Sequence, residues 1–320
     1  MTITYAFNGD ADGLCALQQL RLEDAPDAVL VTGVKRDVQL LRRVEASKGD
    51  EVTVLDISLD QNRDDLIRIL DAGATVRYFD HHHAGTVPRH ARFASYIDES
   101  PEVCTSVLVD RFLGGRHRPW AIVAAFGDNM PELGRRMALD AGYDARGAAT
   151  LEQLGIRLNY NAYGDTVDDL CFDPAKLAEA MLPFADPVAF AGDSPAYARL
   201  GAQYDDDMQR ARVLEHRVAT PGARLVILPD EPWARRAIGV LANDLTHSHP
   251  ECAIAILAPN ARQGYTVSVR VPESSPLAAD EFCLGYPTGG GRKRAAGINH
   301  LPKPDVERMV AAFEARFAAA

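Results

Sequence analysis

The chain has 320 residues, of which 47% are hydrophobic and 25% charged, so its composition is that of a folded globular protein and not of a disordered one. Its net charge of −11 argues against tight non-specific binding of long nucleic acid, which depends on basic side chains that neutralise phosphates. Five scattered cysteines, no basic leader and no apolar run of about 18 residues predict a cytoplasmic protein without a membrane partner.

The length predicts about two domains, because single domains cluster near about 100–150 residues. The acidic excess lies in one of them: residues 1–217 carry 23 basic and 35 acidic side chains, whereas residues 218–320 carry 11 and 10. A concentrated acidic site would fit bound divalent cations, although acidity spread over exposed helix faces is an equally common cause.

Short apolar runs alternate with helical patterns in the first part of the chain. Strands are predicted at residues 3–7, 28–34, 52–57 and 75–79. Helices are predicted at residues 14–22, 37–46, 61–72 and 105–113. This alternation is typical of crossover units around a parallel sheet, and residues 119–190 are then mainly helical.

A periodic apolar pattern predicts one connecting helix at residues 197–218. A second unit follows it, with strands at 224–228, 252–258 and 265–271 and helices at 233–246 and from about 304 to the end. The fold class is therefore α/β, a parallel-sheet domain joined by a long helix to a smaller mixed α/β domain. The predicted boundaries are 1–196, 197–218 and 219–320.

Three predicted strands end in acidic or imidazole side chains. Asp10 and Asp12 follow the first strand, Asp56 the third, and Asp80 and His81 the fourth. Taken singly, each residue has an ordinary explanation other than metal binding: an aspartate after a strand often caps a helix, and a histidine triplet is often solvated. Together they meet at one edge of a parallel sheet, where such groups repel unless cations lie between them.

Four motifs occur in a fixed order along the chain. They are Asn8-x-Asp10-x-Asp12-Gly13, Asp56, Asp80-His81-His82, and Gly289-Gly290-Gly291-x-x-x-Ala295-Ala296-Gly297. In order and approximate spacing they resemble the DHH phosphoesterases with a C-terminal DHHA1 domain, over essentially the whole chain. The triplet alone would be weak evidence, but four motifs in sequence are strong.

This resemblance implies a first domain that holds two metal ions, usually Mn²⁺, with Mg²⁺ as the alternative. Asp56 would bridge the ions, and His82 would lie beside the attacking water or the scissile phosphate, so that the implied catalytic residues are Asp56, Asp80 and His82. The implied metal ligands are Asn8, Asp10, Asp12, Asp56, Asp80, His81 and Asp128. Two adjacent ions suit phosphoester hydrolysis, because they activate water and stabilise the attacking and leaving oxygens.

The resemblance also implies substrate contacts from the second domain. The glycine-rich turn Gly289-Gly290-Gly291 with Arg292 would meet a phosphate or terminal nucleotide, and Arg270 would contact a phosphate or carboxyl end. By residue pattern alone, the turn could be an exposed loop with solvated basic residues, and Arg270 could face solvent. Consecutive backbone N–H groups and a guanidinium do suit an anion.

Two positions depart from the family pattern. Many members have histidine in place of Asn8 and in place of Arg292. An amide oxygen binds Mn²⁺ less tightly than imidazole does, so one ion is expected to bind weakly or to arrive with substrate. Arginine is a permanently charged phosphate clamp and not a proton donor.

These observations predict a Mn²⁺-dependent phosphoesterase that acts on oligonucleotides of a few residues, dinucleotides or a bisphosphorylated nucleoside such as pAp. Three alternatives stay open: a polyphosphate or pyrophosphate hydrolase, a single-strand exonuclease, and a non-catalytic nucleotide-binding relative. The expected partner is a short oligonucleotide or nucleotide, with no stable complex with long nucleic acid. The sequence leaves the oligomeric state open between monomer and homodimer.

Overall fold

The computed structural model describes residues 1–318, and the chain folds as two units. The first unit comprises Met1–Ala162 and Thr166–Ala202, and the second comprises Tyr163–Asp165 and the chain from Gln203 onward. No helix among the described residues is both long enough and apolar enough to span a membrane.

The first unit is built on a five-stranded sheet in which every paired strand is parallel. The strands are Ile3–Phe7 (β1), Val29–Val31 (β2), Glu51–Leu55 (β3), Thr75–Asp80 (β4) and Phe93–Ile97 (β5). Their order is β2-β1-β3-β4-β5, so the three strands that precede the acidic motifs are adjacent. Residues that follow β1, β3 and β4 therefore leave the sheet at one edge.

Nine helices begin in this unit among the described residues. They are Ala11–Glu23 (α1), Arg63–Asp71 (α2), Thr105–Phe112 (α3), Arg118–Gly127 (α4), Pro131–Asp140 (α5), Ala145–Tyr160 (α6), Pro174–Met181 (α7), Pro187–Asp193 (α8) and Pro195–Arg212 (α9). α1 is buried from Ala11 to Leu20, and α4 from Trp120 to Gly127. Both helices are therefore buried on every face over these ranges, and Asp12 at the start of α1 lies inside the unit.

One predicted element of the first unit is wrong, and one strand was not predicted. The helix predicted at 37–46 is only a single 3₁₀ turn, Leu40–Arg43, because side chains from elsewhere bond its backbone groups: the Asn62 amide contacts Leu41 and Val38. The edge strand β5 was not predicted, because it is half exposed and lacks a continuous apolar run. The other strands and helices lie within a few residues of their predicted positions.

In the part of the second unit that the structure describes, a six-stranded mixed sheet packs with helices, three of which begin there. The strands are Val218–Ala219 (β6), Ala223–Ile227 (β7), Ala253–Asn260 (β8), Gly264–Arg270 (β9), Gly289–Arg292 (β10) and Ala295–Pro302 (β11), in the order β10-β11-β9-β8-β7-β6. The helices are Pro232–Ser248 (α10), Ala279–Cys283 (α11) and Val306–Phe317 (α12). Fully buried Leu257, Ile298 and Phe313 belong to its core. The predicted α/β class, with a parallel and a mixed sheet, is confirmed.

Two predictions in the second half need correction. The helix predicted at 197–218 ends at Arg212, because the Arg217 N–H already donates to Leu225 O (2.8 Å) and sheet pairing replaces the helix. The predicted glycine turn is the edge strand β10, and the turn itself is at residues 293–294. Glycine is required there, because a Cβ on Gly289 would lie 1.7 Å from Cys283 O.

Candidate metal centre

The carboxyl ends of three adjacent strands bring the predicted acidic motifs together. The Asn8 N–H donates to Leu55 O (3.2 Å), which extends the pairing of β1 with β3. The Asp56 N–H donates to Phe79 O (3.0 Å), which extends the pairing of β3 with β4. Asp80 is the last residue of β4 and is fully buried. Register in the parallel sheet is therefore the physical reason that residues far apart in sequence share one site.

Asp10 and Asp12 lie at the N-terminus of α1. Asp10 Oδ1 accepts from the N–H groups of Asp12 and Gly13, both at 3.1 Å, and so caps the helix. Gly13 is needed because a Cβ there would lie 2.1 Å from Asn8 O. The helix-cap alternative is thus real for Asp10, but only one of its two oxygens serves the cap.

Asp12 is held by the N-terminus of a second helix, α3. Its oxygens accept from the backbone N–H groups of Thr105 and Ser106, each at 2.7 Å. The Thr105 hydroxyl also donates to Asp56 Oδ1 (3.1 Å). These backbone donors fix the orientation of the Asp12 carboxylate. Thr105 and Ser106 were not predicted as site residues, and their only signal in the sequence is their place at the start of the predicted helix 105–113.

His81 lies among three carboxylates. Its Nε2 is 3.5 Å from Asp56 Oδ1, 3.7 Å from Asp128 Oδ2 and 3.8 Å from Asp12 Oδ2. Its Nδ1 is 3.0 Å from Val103 O, and because a carbonyl can only accept, Nδ1 carries the proton. Nε2 therefore faces the carboxylates, which is the arrangement of a histidine that ligates metal.

Asp80 contacts the histidine pair and lies outside the carboxylate group around His81. Its Oδ1 accepts from His82 Nδ1 (2.8 Å) and from the N–H groups of His81 (2.9 Å) and His82 (3.2 Å). The His82 side chain is 41% exposed, so its Nε2 edge can reach solvent or substrate. Asp80 therefore orients the His82 ring and holds the backbone of both histidines.

Burial and mutual repulsion perturb the acidic groups. Burial, followed by the charges of Asp10 and Asp12, raises the pKa of Asp56 well above its usual value. Burial also raises the pKa of Asp128. For His82, burial lowers the pKa, but the hydrogen bond and charge of Asp80 outweigh it, so that the pKa rises. A site that disfavours ionised carboxylates in this way favours an added cation.

Lys35 is a basic residue of the site that the sequence analysis missed. Its ammonium group contacts Asp10 Oδ2, donates to Asn159 Oδ1 (3.2 Å) and lies 4.0 Å from Asp128 Oδ1. Burial alone would raise the pKa of Asp10, but the Lys35 charge and hydrogen bond outweigh it, so that the pKa falls. A signal was present, because Lys35 follows the predicted strand 28–34 at the same sheet edge.

Two residues of the site adopt left-handed backbone conformations that non-glycine residues rarely occupy. Asp56 has φ of 60°, as does Asn129, which directly follows Asp128. Such conformations cost about 1–3 kcal/mol each and persist where surrounding structure enforces them. One of these residues is the candidate ligand Asp56, and the other directly follows the candidate ligand Asp128. The fold therefore holds these two carboxylates in place at a cost in stability.

The residues present fit a divalent cation. Potential ligand atoms lie within 4.8 Å of one another in two groups, Asp12–His81–Asp128 and Asp56–His81–His82. Asn8 Oδ1 and Asp80 Oδ2 are buried without a hydrogen-bond partner, so each has an oxygen that a cation could satisfy. Carboxylate, amide and imidazole donors together suit Mn²⁺ or Mg²⁺.

The predicted substrate residues lie in the second unit. Arg270, at the end of β9, is half-buried; its guanidinium donates to Ser268 Oγ (3.0 Å) and Asn243 Oδ1 (3.3 Å), and no carboxylate pairs with it in the described chain. Burial lowers the pKa of Arg270. Arg292 is exposed at the end of the edge strand β10.

Solved structures share this architecture across almost the whole chain. An exonuclease RecJ bound to manganese superposes with a TM-score of 0.63 and 20% identity, covering 99% of this chain and 90% of the other. RecJ from Thermus thermophilus in complex with Mn²⁺ gives 0.64 and 19%, and this chain, 99% of it aligned, spans 52% of that one. The pGpG-specific phosphodiesterase PggH from Vibrio cholerae gives 0.56 and 17%, with 99% and 98% covered.

Comparison by sequence adds nothing to these structural similarities, since no protein-family model and no curated protein matches the chain. At these identities the structures establish the fold and leave the substrate open. The parallel sheet and the mixed second sheet belong to the architecture that these structures share with the chain. The chain therefore has the fold of the DHH phosphoesterases, as its motifs predict.

Proposed function

We propose that this protein is a metal-dependent phosphoesterase that hydrolyses short phosphodiesters, most directly a linear dinucleotide. The observation that carries this proposal is the convergence of Asp12, Asp56, His81 and Asp128 around one small volume. Mn²⁺ is the proposed ion, with Mg²⁺ as the alternative. The two-ion arrangement expected from the resemblance is part of the proposal, with Asp56 shared between the ions.

When bound, a divalent ion there would lower the pKa of a water molecule and stabilise negative charge on the phosphate. Asp12, Asp56, His81 and Asp128 would hold that ion. The Asp80 carboxylate keeps the His82 ring fixed through Nδ1, and its charge favours the protonated ring. His82 then holds a proton at Nε2, from which it can donate to a phosphate oxygen or to the leaving group.

Arg270 and the β10–β11 hairpin are the proposed phosphate-binding elements. Arg270 is half-buried and its hydrogen bonds go to neutral groups, so an anionic ligand would supply the charge that the described surroundings lack. Arg292 is exposed and can add a second contact to phosphate. Among the glycines of β10, Gly290 has open space where a Cβ would lie, so the backbone of this edge strand is open to close approach there.

The choice of a dinucleotide rests on two observations. The overall charge of −11 disfavours a long polyanion. PggH, described as specific for pGpG, matches this chain over 98% of its own length. A second candidate, single-strand exonuclease activity, is favoured by the somewhat higher TM-scores with RecJ.

A substrate panel with purified protein and Mn²⁺ tests the proposal. The panel comprises pGpG and other 5′-phosphorylated dinucleotides, pAp, cyclic dinucleotides, polyphosphate and single-stranded DNA. We expect the fastest turnover on a linear dinucleotide, release of mononucleotides, and loss of activity with EDTA. Processive degradation of single-stranded DNA at a higher rate would favour the exonuclease. No turnover of any member, with metal bound, would favour a nucleotide-binding protein.

A further inference from the structure

The position of Lys35 divides the acidic cluster into two parts. Its ammonium group contacts Asp10 Oδ2 and lies 4.0 Å from Asp128 Oδ1. The other oxygen of Asp128 faces His81 Nε2 at 3.7 Å. Asp128 thus lies between Lys35 on one side and the His81 group on the other, and Asp10 belongs to neither of the two groups that could hold a metal.

Lys35 is held at this place by its backbone as well as by its side chain. Its N–H donates to Ala162 O (2.9 Å), and its Nζ donates to Asn159 Oδ1 (3.2 Å) at the end of α6. Three separate segments, at the ends of β1, α4 and α6, therefore meet its ammonium group. These contacts fix the Lys35 ammonium group at one position in the fold. A surface lysine that pairs with a neighbour by chance has no such set of contacts.

A lysine ammonium and a divalent ion at Asp10 compete for the same oxygen. A second ion there would also lie beside the Lys35 charge, and like charges in a partly buried site repel strongly. On the His81 side of the cluster the ammonium group is farther away: Asp128 Oδ1 lies 4.0 Å from Lys35 Nζ, whereas Lys35 contacts Asp10 Oδ2 directly. The Lys35 side chain is 27% exposed, so it can leave when a second ion enters, at the loss of its contacts.

We propose that Lys35 serves as the resident cation beside Asp10, so that the protein binds one divalent ion tightly at the His81 group and a second only weakly, by displacing Lys35. This inference rests on the proposed function and sharpens its two-ion arrangement. Lys35 is a positioning residue in this scheme, since it acts on the occupancy of the metal site.

Removal of the ammonium group should open the second position. In wild type, calorimetric titration with Mn²⁺ should give one tight ion and a second that binds at least about tenfold more weakly. Lys35→Ala should bind two ions of similar affinity, and its EPR spectrum should change from isolated Mn²⁺ to an exchange-coupled pair. Lys35→Arg keeps the charge and should keep one tight ion. Lys176→Ala, at an exposed lysine on α7, is the matched control and should behave as wild type.

Two results would overturn the inference: two equally tight ions in wild type, or a single tight ion that persists in Lys35→Ala. Lys35→Met, which retains the alkyl stem, repeats the test if the alanine variant folds poorly, and circular dichroism checks both. The proposed function fails separately. Wild-type protein that binds two tight ions and hydrolyses a dinucleotide contradicts only the role of Lys35, whereas protein that binds no divalent ion contradicts both.

Discussion

The two sides of the acidic cluster balance their negative charge differently. On one side, Asp10 pairs with Lys35, and its pKa falls despite its burial. On the other, Asp56 and Asp128 share the His81 imidazole, and burial raises the pKa of both, although Asp128 Oδ1 also lies 4.0 Å from the Lys35 ammonium group. One side is electrostatically complete within the protein, whereas the other requires a proton or a cation from solution.

This difference predicts which residues change their protonation when a metal ion binds. Side chains on the His81 side should change their protonation when an ion binds, and their loss should remove the ion. Asp10 should respond mainly through Lys35. The following predictions test that contrast, from the largest expected effect to the smallest.

Asp56→Asn should abolish tight Mn²⁺ binding and reduce turnover the most. Asp56 lies beside both histidines, and metal ions supply several kcal/mol of charge stabilisation in the transition state, or about a thousandfold in rate. Calorimetry and the rate of dinucleotide hydrolysis measure the two effects. Near-normal turnover in a folded variant would exclude Asp56 from the site.

Asp80→Asn should have a smaller effect, because Asp80 orients histidines by hydrogen bonds. Groups that orient metal ligands are typically worth about 10–100-fold in activity or affinity. The variant should also lower the pKa of His82, whose rise depends on Asp80, and so shift the alkaline limb of the pH–rate profile to lower pH, because a proton donor is lost as pH rises through its pKa. An unchanged profile together with a thousandfold loss would indicate that Asp80 is itself a metal ligand.

Mn²⁺ affinity should increase with pH. Asp56 and Asp128 have raised pKa values and must lose protons when an ion binds, so each proton released weakens binding about tenfold for every pH unit below that pKa. Titrations in buffers with different ionisation enthalpies count the released protons. Affinity that does not change between pH 5 and 8 would contradict the raised pKa values.

Substitutions on the two sides of the acidic cluster should change the stability of the metal-free protein in opposite directions. The pKa of Asp56 is higher in the folded protein than in the unfolded chain, so the free energy of unfolding falls as pH rises above the unfolded pKa. Asp56→Asn should therefore stabilise the protein at neutral pH by about 1.4 kcal/mol for each unit by which folding raises that pKa. The Asp10 pKa is lowered, so its contribution is present above the unfolded pKa and is lost on acidification. Asp10→Asn should destabilise by about 1–3 kcal/mol, because Lys35 loses its closest partner. Thermal unfolding in EDTA measures both changes, and shifts of the same sign would refute the contrast.

The sequence allowed prediction of the parallel sheet and of most acidic residues, because both follow from strand ends that share one edge. It did not reveal Lys35, Thr105 or Ser106, whose roles depend on which segments meet at that edge. The 37–46 segment was misread as a helix because the Asn62 side chain, distant in sequence, satisfies its backbone. The glycine-rich segment was misread as a turn because glycine in a strand interior is unusual.

Anomalous diffraction from a crystal soaked in Mn²⁺ tests the central claim most directly. The account predicts a strong manganese peak at ligand distance from His81 Nε2, Asp12, Asp56 and Asp128, with Lys35 still in contact with Asp10 at low metal concentration. A metal-soaked crystal without a manganese peak among these four residues would contradict it.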